Sequence, residues 1–185
     1  MYKICKTEQS TQRQRQMEQG LLELMHTKRY EDISISDLCQ RLNIPRKSFY
    51  RYFSGKDGAL FAMLDHIMLD FYAEGLQTAN GGTALGDLER FFQFWYEKRD
   101  LLSALKRSGL SGILVERATV MARQERMMPG KVRGWSASQQ EQALVFALCG
   151  LMAMILHWHE TGYRLTPQEM TQTAYSMLTK PLIEG

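Results

Sequence analysis

Apolar residues recur at helical spacing along nearly the whole chain, and no stretch shows the strict alternation of a half-buried strand. Met17, Leu21 and Leu24 share one face of an early segment, and Leu60 and Leu64 share one face of a later segment. A chain built from such amphipathic segments buries its apolar faces by packing helix against helix. The sequence therefore predicts an all-α fold of about nine helices.

Capping residues, glycines and prolines set the expected ends of these helices. The predicted helices are Glu8–Thr27, Ile35–Leu42, Pro45–Phe53, Lys56–Leu76, Ala84–Lys98, Asp100–Ser108, Leu110–Met127, Ala137–Thr161 and Thr166–Thr179. A linker is expected at Asn80–Thr83 and a loop at Met128–Trp135. We predict two domains, a three-helix head at residues 1–56 and a helical bundle at residues 57–185 that starts with a connecting helix.

Positive charge is concentrated in the N-terminal third of the chain. Residues 1–58 carry eleven Lys or Arg against seven Asp or Glu, whereas residues 59–185 carry twelve against thirteen. The segment from Asn43 to Lys56 contains four basic residues and no acidic one. A basic cluster attached to a neutral body is typical of a nucleic-acid-binding head, although a solvated surface patch would carry the same charge.

Two short helices joined by a tight turn are expected within this basic region. Ser34 can cap the first helix, and Asp37 three residues later can complete a capping box. Asn43 tolerates the left-handed backbone angles of a tight turn, and Pro45 suits the first position of a helix. The apolar faces are formed by Ile35, Leu38, Cys39, Leu42, Phe49 and Phe53. This arrangement, with the second helix basic and outward-facing, is a helix-turn-helix.

The stretch Tyr30–Leu60, which reads YEDISISDLCQRLNIPRKSFYRYFSGKDGAL, closely resembles the DNA-binding signature of the TetR family of bacterial transcriptional regulators. Its most specific part is the string Phe49–Phe53, followed by Lys56, Asp57 and Leu60. The resemblance implies a phosphate contact for Ser34, base contacts for Arg46, Lys47 and Ser48, backbone contacts for Tyr50 and Arg51, and a phosphate contact for Lys56. Asn43 stands where the family more often has glycine, and Lys47 replaces a commonly small residue, so base preference does not transfer from relatives.

The C-terminal part of the chain is expected to dimerise and to bind an effector. The helix Ala137–Thr161 is apolar on nearly all sides, which requires burial and suits a homodimer formed by the two C-terminal helices. The alternative is that it is the central core helix of a monomer. The resemblance also implies a pocket for a small-molecule effector of unknown identity. The candidate pocket residues are Phe92, Trp95, Met121 and Met152, although an ordinary core has the same composition.

Several other classes of protein lack support in the sequence. There is no Gly-rich phosphate loop, nucleophile elbow or catalytic His–acid pair, so an enzyme and a cofactor are not expected. His157 and His159 point to different sides of a helix, so no metal site is expected. Met1–Arg15 has no apolar run, and Ala143–Trp158 is short for a membrane span, so a cytoplasmic location without membrane contact is expected.

These observations favour a dimeric, ligand-responsive repressor that binds a palindromic operator in double-stranded DNA. The alternative is a helix-turn-helix regulator controlled by a protein partner instead of a small molecule.

Overall fold

The structure, a computed structural model, describes residues 1–78, 83–122 and 134–180. Over these residues it is helical and has no strand, and one isolated antiparallel bridge joins Tyr2 to Phe53. The helices are α1 Glu8–Met25, α2 Ile35–Arg41, α3 Arg46–Tyr50, α4 Lys56–Thr78, α5 Ala84–Glu97, α6 Arg99–Arg107, α7 Ile113–Ala122, α8 Ala137–Glu160 and α9 Pro167–Thr179. A short 3₁₀ turn, Tyr30–Asp32, lies between α1 and α2. The predicted all-α fold is confirmed.

The helix ends differ from the predicted ones in a few places. Pro45 is the N-cap of α3 and not its first residue, because its ψ of 144° is extended. The helix ends at Tyr50, so Phe53 lies in the turn that follows. α7 begins at Ile113 instead of Leu110. The predicted end of that helix, most of the loop that follows it, and residues 80–82 of the predicted linker lie outside the described residues.

The chain divides into two compact units, which share α4 and α6 between them. The first unit contains Met1–Met68 and Ser103–Ser111, and the second contains Leu69–Leu102 and Gly112–Gly185. The predicted domain boundary at residues 56 and 57 falls at the start of α4, whereas the first unit continues along α4 and includes the end of α6. Its core is formed by buried side chains that include Met17, Leu21, Met25, Ile33, Leu38, Phe49, Phe53, Leu60 and Leu64.

The second unit is a bundle in which α5 packs against α9 and α7 packs against α8. We expected α8 to be buried on most sides, partly against a second subunit, and a single chain buries only part of it. Only Met152, Ile155 and Trp158 of α8 are fully buried, while Phe146 is 68% exposed. Among the described residues α8 alone is long and apolar enough to cross a membrane, a criterion that helices packed inside proteins also meet. Its apolar surface therefore extends well beyond what one chain covers.

Candidate nucleic-acid interface

The start of α2 is held by a reciprocal capping box, as the sequence predicted. The Ser34 hydroxyl oxygen accepts the backbone N–H of Asp37 at 3.1 Å, and the Asp37 carboxylate accepts the backbone N–H of Ser34 at 2.7 Å. The Ser34 hydroxyl also donates to this carboxylate at 2.5 Å. These donors, with Lys28 Nζ at 3.3 Å, lower the pKa of Asp37 to about 2.

The turn between α2 and α3 is tight because Asn43 adopts a φ of 50°. This left-handed conformation is more accessible to asparagine than to most other residues with a side chain. The Asn43 and Ile44 N–H groups donate back to the carbonyls of Gln40 and Cys39 at 3.2 and 3.0 Å, which closes the end of α2. The predicted role of Asn43 is confirmed.

Two aromatic anchors decide which side of α3 faces outward. Phe49 and Phe53 are 0% and 1% exposed, and their ring centroids lie 5.1 Å apart. With these rings buried, the predicted DNA-contacting residues Arg46, Lys47, Tyr50 and Arg51 are exposed, and Ser48 is half-buried. Among the described residues no carboxylate pairs with any of these three cations. α3 thus presents unneutralised positive charge to solvent.

Lys56 is engaged with the protein itself. Its Nζ donates to the carbonyls of Tyr30 and Ile33 at 2.5 and 2.6 Å, with the Glu31 carbonyl at 3.4 Å. The ammonium also lies 4.3 Å from the centroid of the Tyr30 ring. An ammonium has three protons, and three carbonyls face it here. The structure therefore gives Lys56 a role in joining the start of α4 to the 3₁₀ turn, and its phosphate contact stays a prediction.

The 3₁₀ turn is also bound to the end of α6, a connection that the sequence did not indicate. The backbone N–H of Tyr30 donates to the hydroxyl of Ser108 at 2.9 Å, and this serine is buried. Arg107 donates to the carbonyl of Met25 at 2.9 Å. The Tyr30 hydroxyl donates to Asp57 at 2.6 Å, and burial together with this carboxylate raises the pKa of Tyr30. The head is therefore completed by residues far along the chain.

The first five residues form a strap against the head, which sequence analysis missed because the segment has no periodic pattern. The Lys3 N–H donates to the Tyr52 carbonyl at 2.8 Å, and the Ser54 N–H donates to the Met1 carbonyl at 3.1 Å. The Tyr2 hydroxyl donates to Asp65 at 2.6 Å. A Cβ at Gly58 would lie 2.4 Å from the Met1 carbonyl oxygen, so a larger residue there would displace the strap. This strap holds the turn that follows α3.

The four candidate effector-pocket residues all lie in the second unit. Phe92, Trp95, Met121 and Met152 are each at most 2% exposed. The Phe92 ring centroid is 6.0 Å from that of Trp158, in a T-shaped arrangement. The four side chains therefore belong to the apolar core of this unit, and whether they line a ligand cavity stays a prediction.

A head with a buried aromatic anchor, a tight turn and an exposed cationic second helix, followed by a helical bundle, defines a helix-turn-helix transcriptional regulator. Residues 20–63 match the family described as bacterial regulatory proteins, tetR family. The match covers the helix-turn-helix, so this part of the chain is similar to the DNA-binding segment of the tetR family.

Solved structures share the fold over nearly the whole chain. The fatty acid degradation regulator FadR from Bacillus halodurans is 14% identical, with a TM-score of 0.65, and the match covers 97% of this chain and 98% of that one. The TetR family repressor AlkX from Dietzia sp. is 19% identical, with a TM-score of 0.58, covering 88% and 91%. A Listeria innocua protein is 13% identical, with a TM-score of 0.69, covering 95% and 94%. No curated protein sequence matches the chain.

Proposed function

We propose that the protein is a transcriptional repressor that binds a palindromic operator as a homodimer and releases it when a small-molecule effector occupies the second unit. The observation that carries this proposal is the exposed cationic face of α3, held outward by the buried rings of Phe49 and Phe53. A helix of this kind places side chains at base edges in the major groove of duplex DNA.

The proposed contacts divide into those that read bases and those that position the protein. Arg46, Lys47 and Ser48 are assigned to base edges, and Tyr50 and Arg51 to the phosphate backbone. Ser34 is assigned to a phosphate at the start of α2. Because its hydroxyl donates to Asp37 in the free chain, that bond must rearrange before the hydroxyl can donate to DNA.

The proposed dimer is formed by α8 and α9. Phe146, Gly150 and Ala153 lie at i, i+4 and i+7 on one side of α8, and all three are exposed. On α9, Met177 and Leu178 are each 47% exposed. Burial of this apolar surface would stabilise the dimer by about 25 cal/mol per Å². A two-fold axis would place the same patch of each subunit against the other.

The proposed effector is apolar. The buried pocket candidates are aromatic rings and methionine side chains, which suit an uncharged ligand body. Two structural neighbours are described as a fatty acid degradation regulator and as a repressor implicated in biodegradation of n-alkanes. A long-chain fatty acid is therefore the first class to test. Coupling free energies of about 1–3 kcal/mol would change operator affinity roughly 5–150-fold.

The first experiment is selection of bound sequences from a random duplex pool, followed by salt titration of the selected duplex. Dimeric recognition predicts a palindrome whose half-sites lie about one helical turn apart, ~34–36 Å. Failure to enrich any sequence would overturn the proposed sequence-specific function.

The effector part is tested on the selected duplex with a long-chain fatty acid, and the matching fatty alcohol serves as the control for the carboxylate. Release of DNA by the fatty acid supports control of the protein by an apolar small molecule. If no apolar ligand of either kind changes operator affinity, control by a protein partner becomes the better account of the second unit.

A further inference from the structure

A polar cleft of about 440 Å³ lies in the first unit, between the start of α1 and the turn after α3. Its lining combines two arginines, three glutamines and three hydroxyl-bearing residues, and it contains no acidic residue. None of these residues belongs to the contact set assigned to DNA except Arg51, which follows α3 directly. The cleft therefore adjoins the end of the helix proposed to enter the major groove.

One side of the cleft is a single face of α1. Gln9, Gln12, Arg13 and Gln16 occupy positions i, i+3, i+4 and i+7, and all four are exposed. The opposite face of the helix is buried through residues such as Gln14 and Met17. A helix face of arginine and amide side chains has no role in the core of the head. It presents donors that commonly bind DNA phosphate and sugar oxygens.

The other side of the cleft is formed by Arg51 and Tyr52, and the strap holds it in place. The Lys3 N–H donates to the Tyr52 carbonyl, and Gln14 of α1 donates to the Lys3 carbonyl at 3.0 Å. The strap therefore links both walls of the cleft. Within the described residues neither Arg13 nor Arg51 pairs with a carboxylate, so the positive charge of both walls is available to an anion.

We infer that this cleft binds the sugar-phosphate backbone of the operator strand that borders the major groove occupied by α3. This inference rests on the DNA-binding function proposed above and extends it to a surface outside the helix-turn-helix. A helix in the major groove has a phosphate backbone on each side, because the two strands form the edges of the groove. The groove is about 12 Å wide, so both backbones lie close to the helix. The start of α2 faces one of these backbones, and the cleft beside Arg51 faces the other.

The test uses the full-length protein and the selected palindrome in two lengths, one ending at the outer edge of each half-site and one extended by random flanks. Arg13→Gln removes one cation from the cleft. On the long duplex we expect the slope of log affinity against log salt concentration to become shallower by about 0.9 per head. Raising the salt from 50 to 200 mM would then reduce the affinity of the variant by roughly threefold less per head than it reduces the affinity of the wild type. Hydroxyl-radical protection of the flanking backbone should shrink in the same variant.

Arg15→Gln is the matched control, since it removes the same charge from the same helix at a position that does not line the cleft. Gln12→Glu is a second cleft variant, and its new carboxylate should weaken binding to the long duplex through repulsion. Melting midpoints confirm that each variant is folded. If Arg13→Gln and Gln12→Glu behave like Arg15→Gln on the long duplex, the inference is overturned while the DNA-binding function stands. If the wild type enriches no sequence, both fail.

Discussion

Among the described residues, two that are not glycine adopt a positive φ, and the sequence predicted only one of them. Asn43, with φ of 50°, was predicted because asparagine is a common turn residue. Tyr163, with φ of 57°, was not predicted because a bulky aromatic disfavours this conformation. Its ring centroid lies 4.9 Å from that of Trp158, and its hydroxyl oxygen lies 2.8 Å from His159 Nδ1. The ring centroid of Tyr163 also lies 5.3 Å from that of Tyr96 on α5, so a contact with a distant segment accompanies a backbone conformation that local preference opposes.

At Lys56 the structure leads to a prediction about stability. Lys56→Ala removes the donor that faces the carbonyls of Tyr30 and Ile33, so we expect a loss of roughly 1–3 kcal/mol in the free energy of unfolding. The measurement is urea denaturation, with operator affinity recorded at several salt concentrations. An unchanged free energy together with a salt slope lower by about one unit would instead support a phosphate contact.

Asp37 makes a prediction about pH. Its pKa falls from the ordinary 3.8 to about 2 in the folded chain, because the hydroxyl and N–H of Ser34 donate to the carboxylate. A depressed folded pKa stabilises the fold above the ordinary value, and this contribution disappears as pH falls through the folded value. Asp37→Asn should therefore lower the denaturation midpoint at neutral pH, with the difference from wild type closing between about pH 4 and 2. A difference that keeps its neutral-pH size down to pH 2 would contradict this account.

At the scale of elements, α3 is short and owes its orientation to its anchors. Arg46→Ala and Lys47→Ala should relax preference for particular bases, because these side chains are exposed at the start of the helix. Arg51→Ala should weaken specific and random duplexes alike, since it is assigned to the backbone. Repeating the random-pool selection with each variant measures both effects. If all three variants change affinity identically across sequences, the division between reading and positioning residues is wrong.

α8 makes a prediction about assembly. Phe146→Glu places a charge in the centre of the proposed interface, where the native side chain is 68% exposed in one chain. Because burial of an unpaired charge is costly, we expect the variant to sediment as a monomer and to lose affinity for the full palindrome. Val120→Glu on α7 is the control, since it also adds a charge at an exposed apolar residue. A Phe146→Glu variant that remains dimeric would place the interface elsewhere.

At the scale of the whole molecule, the boundary between the two units falls within α4 and within α6, so each of these helices contributes residues to both units. If an effector lowers operator affinity by some factor, the operator must lower effector affinity by the same factor, because the coupling free energy is reciprocal. We therefore expect the fatty acid to bind roughly 5–150-fold more weakly to the operator complex than to the free protein. Titration of the ligand with and without the operator duplex measures this. Equal affinities would exclude allosteric control by that ligand.

The helix positions and the helix-turn-helix were predictable from sequence because their causes are local. Capping boxes, the Asn43 turn and apolar spacing act over a few residues, and they correctly located all nine helices that the structure describes. The aromatic pair Phe49 and Phe53 likewise indicated which side of α3 would be exposed.

Contacts between distant segments were decided only by the tertiary structure. The strap of residues 1–5, the cleft beside Arg51, the carbonyls that hold Lys56 and the hydroxyl of Ser108 on the head all join residues far apart in sequence. Such pairings leave no periodic pattern, because they depend on which surfaces meet after the helices pack. The amino-acid sequence by itself determined the helices and the exposed charge of α3, whereas packing decided which polar groups are satisfied internally and which remain exposed for the proposed DNA contacts.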